Sequence, residues 1–116
     1  MKVIRIDDIE TQKTTTKMFV GRVYRQPLVD EEMAQELRLS VISFSPGARN
    51  LFHTHTTEQV LFVTEGKGII ATEDEEIVLT PGMIAFIPPG EKHWHGASKD
   101  SLFSHIAIAP PGKTEF

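Results

Sequence analysis

The five histidines of this 116-residue chain fall as two His-x-His pairs and a single residue: His53 and His55, His93 and His95, and His105. Successive side chains of an extended strand alternate faces, so each pair points to one side together. Imidazole is the commonest protein ligand for first-row divalent metals. Two imidazoles spaced in this way can converge on one ion at about 2.0–2.1 Å. One such pair is weak grounds for a metal, since a lone histidine usually makes a structural hydrogen bond. Two pairs, each beside glycine or proline, point to a metal centre. The chain has no cysteine, so thiolate ligands, cysteine nucleophiles and disulfides are excluded.

The elements that must carry these residues are short. Punctuation recurs at Pro46-Gly47, Gly66-Lys67-Gly68, Asp74-Glu75-Glu76, Pro81-Gly82, Pro88-Pro89-Gly90 and Pro110-Pro111-Gly112. Between these marks lie segments rich in Val, Ile, Leu, Phe and Thr, the pattern of an all-β sandwich or barrel. Strands are predicted over Val3–Ile6, Met18–Tyr24, Leu37–Phe44, Gln59–Thr64, Lys67–Thr72, Glu76–Leu79, Met83–Ile87, His93–His95 and Phe103–Ala109. Only Asp30–Glu36 could wind into a turn or two of helix. No linker or low-complexity segment interrupts the chain, so one domain over residues 1–116 is expected, with its barrel core at about 37–109. The tail Pro110–Phe116 carries too little apolar content to be expected to order.

The bulk numbers narrow the partners. The formal net charge is −4, with no run of lysine or arginine. Nucleic acid and anionic membranes both demand a basic footprint, so neither is expected as a partner. The N-terminus lacks the apolar stretch of a signal peptide. No apolar run approaches the roughly 20 residues that span a bilayer. A soluble, cytoplasmic protein acting on a small molecule is the expectation.

The stretch from Gly47 to Gly66 runs G-ARNLF-HTH-TTE-Q-VLFVTE-G, and that from Gly82 runs G-MIAFI-P-P-G-EK-H-WHG-A. These resemble the two cupin motifs: glycine, five residues, HxH, an acidic position, six residues, glycine; then glycine, five residues, PxG, two residues and a last ligand histidine. Ala97 stands where the family has an asparagine that is not usually a ligand. The resemblance covers residues 47–97 and implies a double-stranded β-helix, the cupin jelly-roll barrel. It implies one divalent transition metal per chain, held by His53, His55, the residue at the acidic position, and His93.

That acidic position is filled by Gln59. In an extended register positions 53, 55 and 59 share a face and Glu58 lies opposite; a slip through Thr56-Thr57 would put Glu58 there instead. Gln59 narrows the resemblance to small cupins of the manganese-dependent hydroxynitrile lyase and carboxymuconolactone-decarboxylase-related type. In these a His-His-Gln-His set holds the metal. Manganese is therefore favoured, with Fe, Co, Ni and Zn compatible with the donors. Three imidazoles and an amide leave the ion's full +2 charge uncompensated, which favours anionic substrate groups. A lyase-, decarboxylase- or isomerase-like enzyme acting on a small oxygenated or hydroxynitrile-type substrate follows. The alternatives are a non-catalytic small-molecule-binding cupin and a cupin dioxygenase.

His95 and His105 are the candidate catalytic residues. His95 shares the face of His93 and is placed for proton transfer; the reading against it is a structural hydrogen bond. His105 reaches the cavity if Phe103, Ala107 and Ala109, which share its face, look inward. Ser40, Ile42, Phe44, Leu61 and Val63 are expected to line that cavity. Trp94 should face away from the metal and pack between sheets or subunits. The acids from Glu73 to Glu76 read as a solvated turn. A homodimer is expected, through the strands Val3–Ile6 and Met18–Tyr24.

Overall fold

Every backbone pairing in the computed structural model, which describes residues 1–116, is antiparallel. The strands are β1 (Gln12–Lys13), β2 (Phe19–Val20), β3 (Val23–Val29), β4 (Arg38–Phe44), β5 (Arg49–Asn50), β6 (Thr54–His55) and β7 (Gln59–Gly66). They continue as β8 (Gly68–Ala71), β9 (Glu76–Leu79), β10 (Ile84–Ile87), β11 (Trp94–Ala97), β12 (Phe103–Ala109) and β13 (Thr114–Glu115). A six-stranded sheet runs β1-β3-β4-β12-β7-β10 and a five-stranded sheet runs β2-β5-β11-β8-β9. Facing each other, these make the expected all-β jelly roll.

The inward face of each long strand changes character along its length. On β12 it runs from buried Phe103 through His105 to Ala107 and Ala109; on β4, from buried Phe44 through Ile42 and Ser40 to Arg38. Phe44 and Phe103 stack at 5.8 Å between ring centroids. With Val23, Ala48, Val63, Leu79 and Ala97 they plug one end of the barrel. Small and polar residues at the other end leave it hollow. Packing closes the first region because burial of apolar surface drives it. The second stays open because alanine and serine cannot fill the width between the sheets.

Several sequence expectations are corrected. Val3–Ile6 is not a strand: Ile6–Asp8 is a single 3-10 turn. The flanking chain is held by Gln26 Nε2, which donates to the carbonyls of Ile6 and Ile9 at 3.1 and 3.0 Å. Met18–Tyr24 is broken at Gly21, whose φ of 87° suits glycine alone, and β2 and β3 on either side of it enter different sheets. Asp30–Glu36 makes one α-type turn, with Ala34 N–H donating to the Asp30 carbonyl. The Asp30 carboxylate accepts from the N–H groups of Glu32 and Met33, and so few residues cannot propagate a helix. The expected His93–His95 strand begins only at Trp94.

The tail is also ordered in place. Its β13 pairs with β6, matching Thr114 to His55 and Glu115 to Thr54. Beside this pairing the chain approaches so closely at Gly112 that a Cβ there would meet Thr57 Oγ1 at 2.5 Å. Backbone hydrogen bonding, which composition does not reveal, supplies the order that apolar content lacks. No helix is long and apolar enough to cross a membrane.

Candidate metal centre

His53 and His93 sit on adjoining chain segments joined as an isolated bridge, each backbone N–H donating to the other's carbonyl at 2.9 and 3.1 Å. His55 follows on β6. One ring nitrogen from each of His53, His55 and His93 lies within 4.8 Å of the other two. Each ring is held by its Nδ1. Leu51's carbonyl lies 2.7 Å from Nδ1 of His53, and Glu91's carbonyl 2.8 Å from Nδ1 of His93. A carbonyl can only accept, so both rings carry their proton on Nδ1 and turn a bare Nε2 lone pair inward. His55 Nδ1 meets the Thr114 hydroxyl at 3.0 Å.

The inward atoms have no partners. His55 Nε2, His93 Nε2 and Gln59 Oε1 are all buried without a hydrogen bond. Buried acceptors left bare are costly, and nitrogen and oxygen lone pairs gathered in this way suit a borderline divalent cation. Metal-bound histidines typically show the same arrangement, with the second ring nitrogen fixed by an outer hydrogen bond. The donor set therefore fits a metal ion. Glu58 is exposed and borders the cavity, but lies outside the histidine cluster. Gln59 begins β7 on the face of buried Leu61 and Val63, opposite exposed Phe62 and Thr64.

Burial keeps these rings neutral. It pushes His53 down to about 4, with the neighbouring His93 and His55 adding to the shift and the Leu51 carbonyl opposing it. It lowers His55 as well, with help from His93 and against the pull of the neighbouring Gln59 side chain, and lowers His93 against the pull of the Glu91 carbonyl and carboxylate.

Next to the trio lies a cavity of about 530 Å³ lined by His53, His55 and Gln59 and, further in, by Asn50, His95 and His105. His95 and His105 are buried, their rings edge to face at 5.0 Å. Both nitrogens of His105 and Nδ1 of His95 have no hydrogen-bond partner. Desolvation pushes His105 down to about 3 and His95 well below its usual range, the latter assisted by His105 and His53. Ser40 and Ile42 line the cavity as expected. Phe44, Leu61 and Val63 do not: they are packed into the closed end or beneath the wall. Arg25 and Arg38, on the inward face of β3 and β4, flank the mouth. Trp94 lies outside the site, but the Arg49 guanidinium covers its ring at 3.6 Å instead of another sheet. The acids from Glu73 to Glu76 stand exposed at the β8–β9 turn, one of them bridged to Lys92.

Sequence reasoning missed Asn50 and Thr114. Both act through strand pairings far apart in the chain, and nothing in their immediate neighbourhood marks them. Asn50 is almost completely buried and is brought to His95 where β5 crosses β11. The crossing is tight: a Cβ on Gly96 would meet the Ala48 carbonyl at 2.5 Å.

The family model for the cupin domain matches residues 40–108, more than half of the chain, and the chain belongs to the cupin family. (R)-mandelonitrile lyase of Granulicella tundricola is 34% identical over 109 residues, which is 93% of this chain and 83% of that protein. A crystal structure of a cupin-like protein from Thermotoga maritima superposes with a TM-score of 0.85 at 34% identity, covering 92% of this chain and 85% of that one. The polyketide cyclase RemF of Streptomyces resistomycificus superposes with a TM-score of 0.88 at 23% identity, over 100% of this chain and 86% of its own. That last likeness is one of fold alone.

Proposed function

We propose that this cupin is a metal-dependent lyase that cleaves a small hydroxynitrile-type or related hydroxylated substrate. In this reading His53, His55, Gln59 and His93 hold one divalent transition ion, manganese first among those the donors suit. The observation that carries it is the unpartnered buried atoms His55 Nε2, His93 Nε2 and Gln59 Oε1, beside a cavity lined by His55 and Gln59 that also holds two buried histidines. The 34% identity to a mandelonitrile lyase supports the substrate class. A bound ion would supply Lewis acidity toward an anionic oxygen or nitrogen group.

The remaining chemistry belongs to the chain. Burial holds His105 neutral, so one of its ring nitrogens is available as a base. For a hydroxynitrile the O–H proton passes to that nitrogen, the C–O bond becomes a carbonyl, and cyanide departs with the electrons of the C–C bond. The proton then returns from the ring to cyanide. Arg25, Arg38 and Lys113 along the cavity outnumber Glu31 and Glu58 there, a balance that favours approach of anions. A purely ligand-binding cupin has no need of a base such as His105, buried with both ring nitrogens unbonded.

The test is direct. Protein purified without a histidine tag is assayed for metal content, then loaded with manganese and given mandelonitrile and smaller aliphatic hydroxynitriles while aldehyde release is followed. Turnover that requires the metal and drops with His105→Gln supports the reading. Full metal occupancy with no cleavage of any hydroxynitrile, lactone or small keto acid would return the protein to the ligand-binding alternative.

A homodimer belongs to the same reading, but not through Val3–Ile6, which forms no strand. Val60 and Phe62 of β7 and Ile84 and Phe86 of β10 make an uncharged patch on the outer face at the open β10 edge, with Phe62, Ile84 and Phe86 exposed. An unpaired edge flanked by apolar side chains suits a second copy across a twofold axis. Light scattering should give twice the 13.0 kDa chain mass, falling to the single mass in Phe86→Glu. A monomer at all micromolar concentrations refutes it.

A further inference from the structure

The geometry assigns a positioning role to Asn50: it fixes His95 as the tautomer that carries its proton on Nδ1, so that His95 meets the substrate as a hydrogen-bond donor. The orientation of the Asn50 amide is not free. Its Oδ1 accepts the backbone N–H of His95 at 2.8 Å, and a backbone N–H can only donate. The other end of the amide is therefore the NH₂ group, which lies 3.2 Å from His95 Nε2. An amide nitrogen has no lone pair to offer, so His95 Nε2 must accept. A neutral imidazole with an accepting Nε2 has its proton on Nδ1. That proton is buried and has no partner in the fold.

The neighbours leave a ligand as the natural recipient. Phe44 packs against His95 edge to face at 5.7 Å and offers no acceptor lone pair. His105, 5.0 Å away between ring centroids, makes no hydrogen bond to it. Both histidines line the cavity. A donor on His95 and an accepting nitrogen on His105 together match one group that both accepts and donates, a substrate hydroxyl. This deepens the proposed function for its substrate, on which it rests; the tautomer itself depends only on Asn50 and the β5–β11 crossing. It also narrows the sequence expectation that His95 is placed for proton transfer, giving it the donor's part.

Nitrogen-15 NMR of the histidine rings tests the assignment in protein as purified and after loading with zinc, which is diamagnetic. In the unaltered protein His95 should show a protonated, pyrrole-type Nδ1 and a pyridine-type Nε2. Asn50→Asp keeps an oxygen for the His95 backbone N–H but replaces the donor with an acceptor. Its ring should invert, with the proton on Nε2, while the other histidines keep their pattern. Asn50→Ser, which retains neither fixed donor nor acceptor at that distance, should give mixed tautomers. If His95 of the unaltered protein carries its proton on Nε2, or Asn50→Asp leaves the ring unchanged, the proposal is overturned. Because the spectra are read with and without metal, failure to bind metal would strike the proposed function and leave the tautomer result standing. With turnover as a second readout, Asn50→Asp should lower it at least tenfold while metal content stays unchanged; loss of metal in step with turnover would count against a role through His95.

Discussion

The two groups of histidines in this barrel differ in how their nitrogens are satisfied. In the first, His53, His55 and His93 each have one nitrogen tied outward to a carbonyl or hydroxyl and the other turned toward a shared point. In the second, His95 is tied through Nε2 to a side-chain amide and His105 is tied to nothing. Outward tethering at Nδ1 with a bare Nε2 is what a cation needs from imidazole: it fixes the ring's direction and, where the tether is a carbonyl as at His53 and His93, the tautomer as well. Rings with free nitrogens in a cavity suit a ligand that brings its own donors and acceptors. Side chains of one type, a few ångströms apart, are thus prepared for different partners by their second contacts.

The largest effect expected across that divide is on metal content. His93→Ala or His53→Ala should lower occupancy by more than about tenfold, since each removes a direct donor, whereas His105→Gln should leave it intact. Elemental analysis of the purified variants decides, and equal loss in all three would erase the distinction between the groups. Next in size is the outer tether. Thr114→Val removes the hydroxyl on His55 Nδ1 and should weaken metal affinity by about tenfold, the low end for outer-shell contacts. Competition against a fluorescent chelator measures it, and an unchanged constant would show that His55 needs no tether.

The second group is sharpened by acid. His105 titrates near 6.5 when unfolded but is pushed by burial to about 3 in the fold. Between those values the unfolded chain binds the extra proton, so stability is complete above about pH 6.5 and falls as pH drops toward 3. For this one ring the slope reaches about 1.4 kcal/mol per pH unit. Urea midpoints of metal-free protein should therefore fall between pH 7.5 and pH 5, and fall less steeply in His105→Leu. Equal slopes in both proteins would mean that His105 is not the source. The smallest effect concerns Gln59→Glu, which adds one negative charge beside the trio. Metal affinity should hold or rise, while azide binding to cobalt-substituted protein should weaken severalfold, as the net site charge falls. Glu58→Gln, on the exposed side, should change neither; weakened metal binding in that variant would transfer the ligand role to Glu58.

The barrel was legible because its signals are local. Alternation along Leu37–Phe44 and Phe103–Ala109, and the glycine and proline marks between strands, report on single elements. The two-residue period also puts 53, 55 and 59 on one face, but the chain bends at Thr56-Thr57 between β6 and β7, so parity does not by itself place Gln59. Where the reading failed, the deciding contact lay elsewhere in the chain. The tail's own residues are polar and carry no sign of order, yet its hydrogen bonds come from β6, some 60 residues earlier in register (Thr114 opposite His55). Met18–Tyr24 read as one strand because nothing in its composition says that Gly21 adopts a positive φ.

By itself, then, the sequence determined that imidazoles would be presented in pairs on strands, and that the strands would close an apolar barrel, since both follow from periodicity and side-chain type. Only the tertiary structure decided which nitrogen of each ring is free. That choice rests on the carbonyls of Leu51 and Glu91, the Thr114 hydroxyl and the Asn50 amide. A tautomer is set by whichever donor or acceptor packing brings within about 3 Å, and Asn50 and Thr114 reach their histidines only through the β5–β11 and β13–β6 pairings.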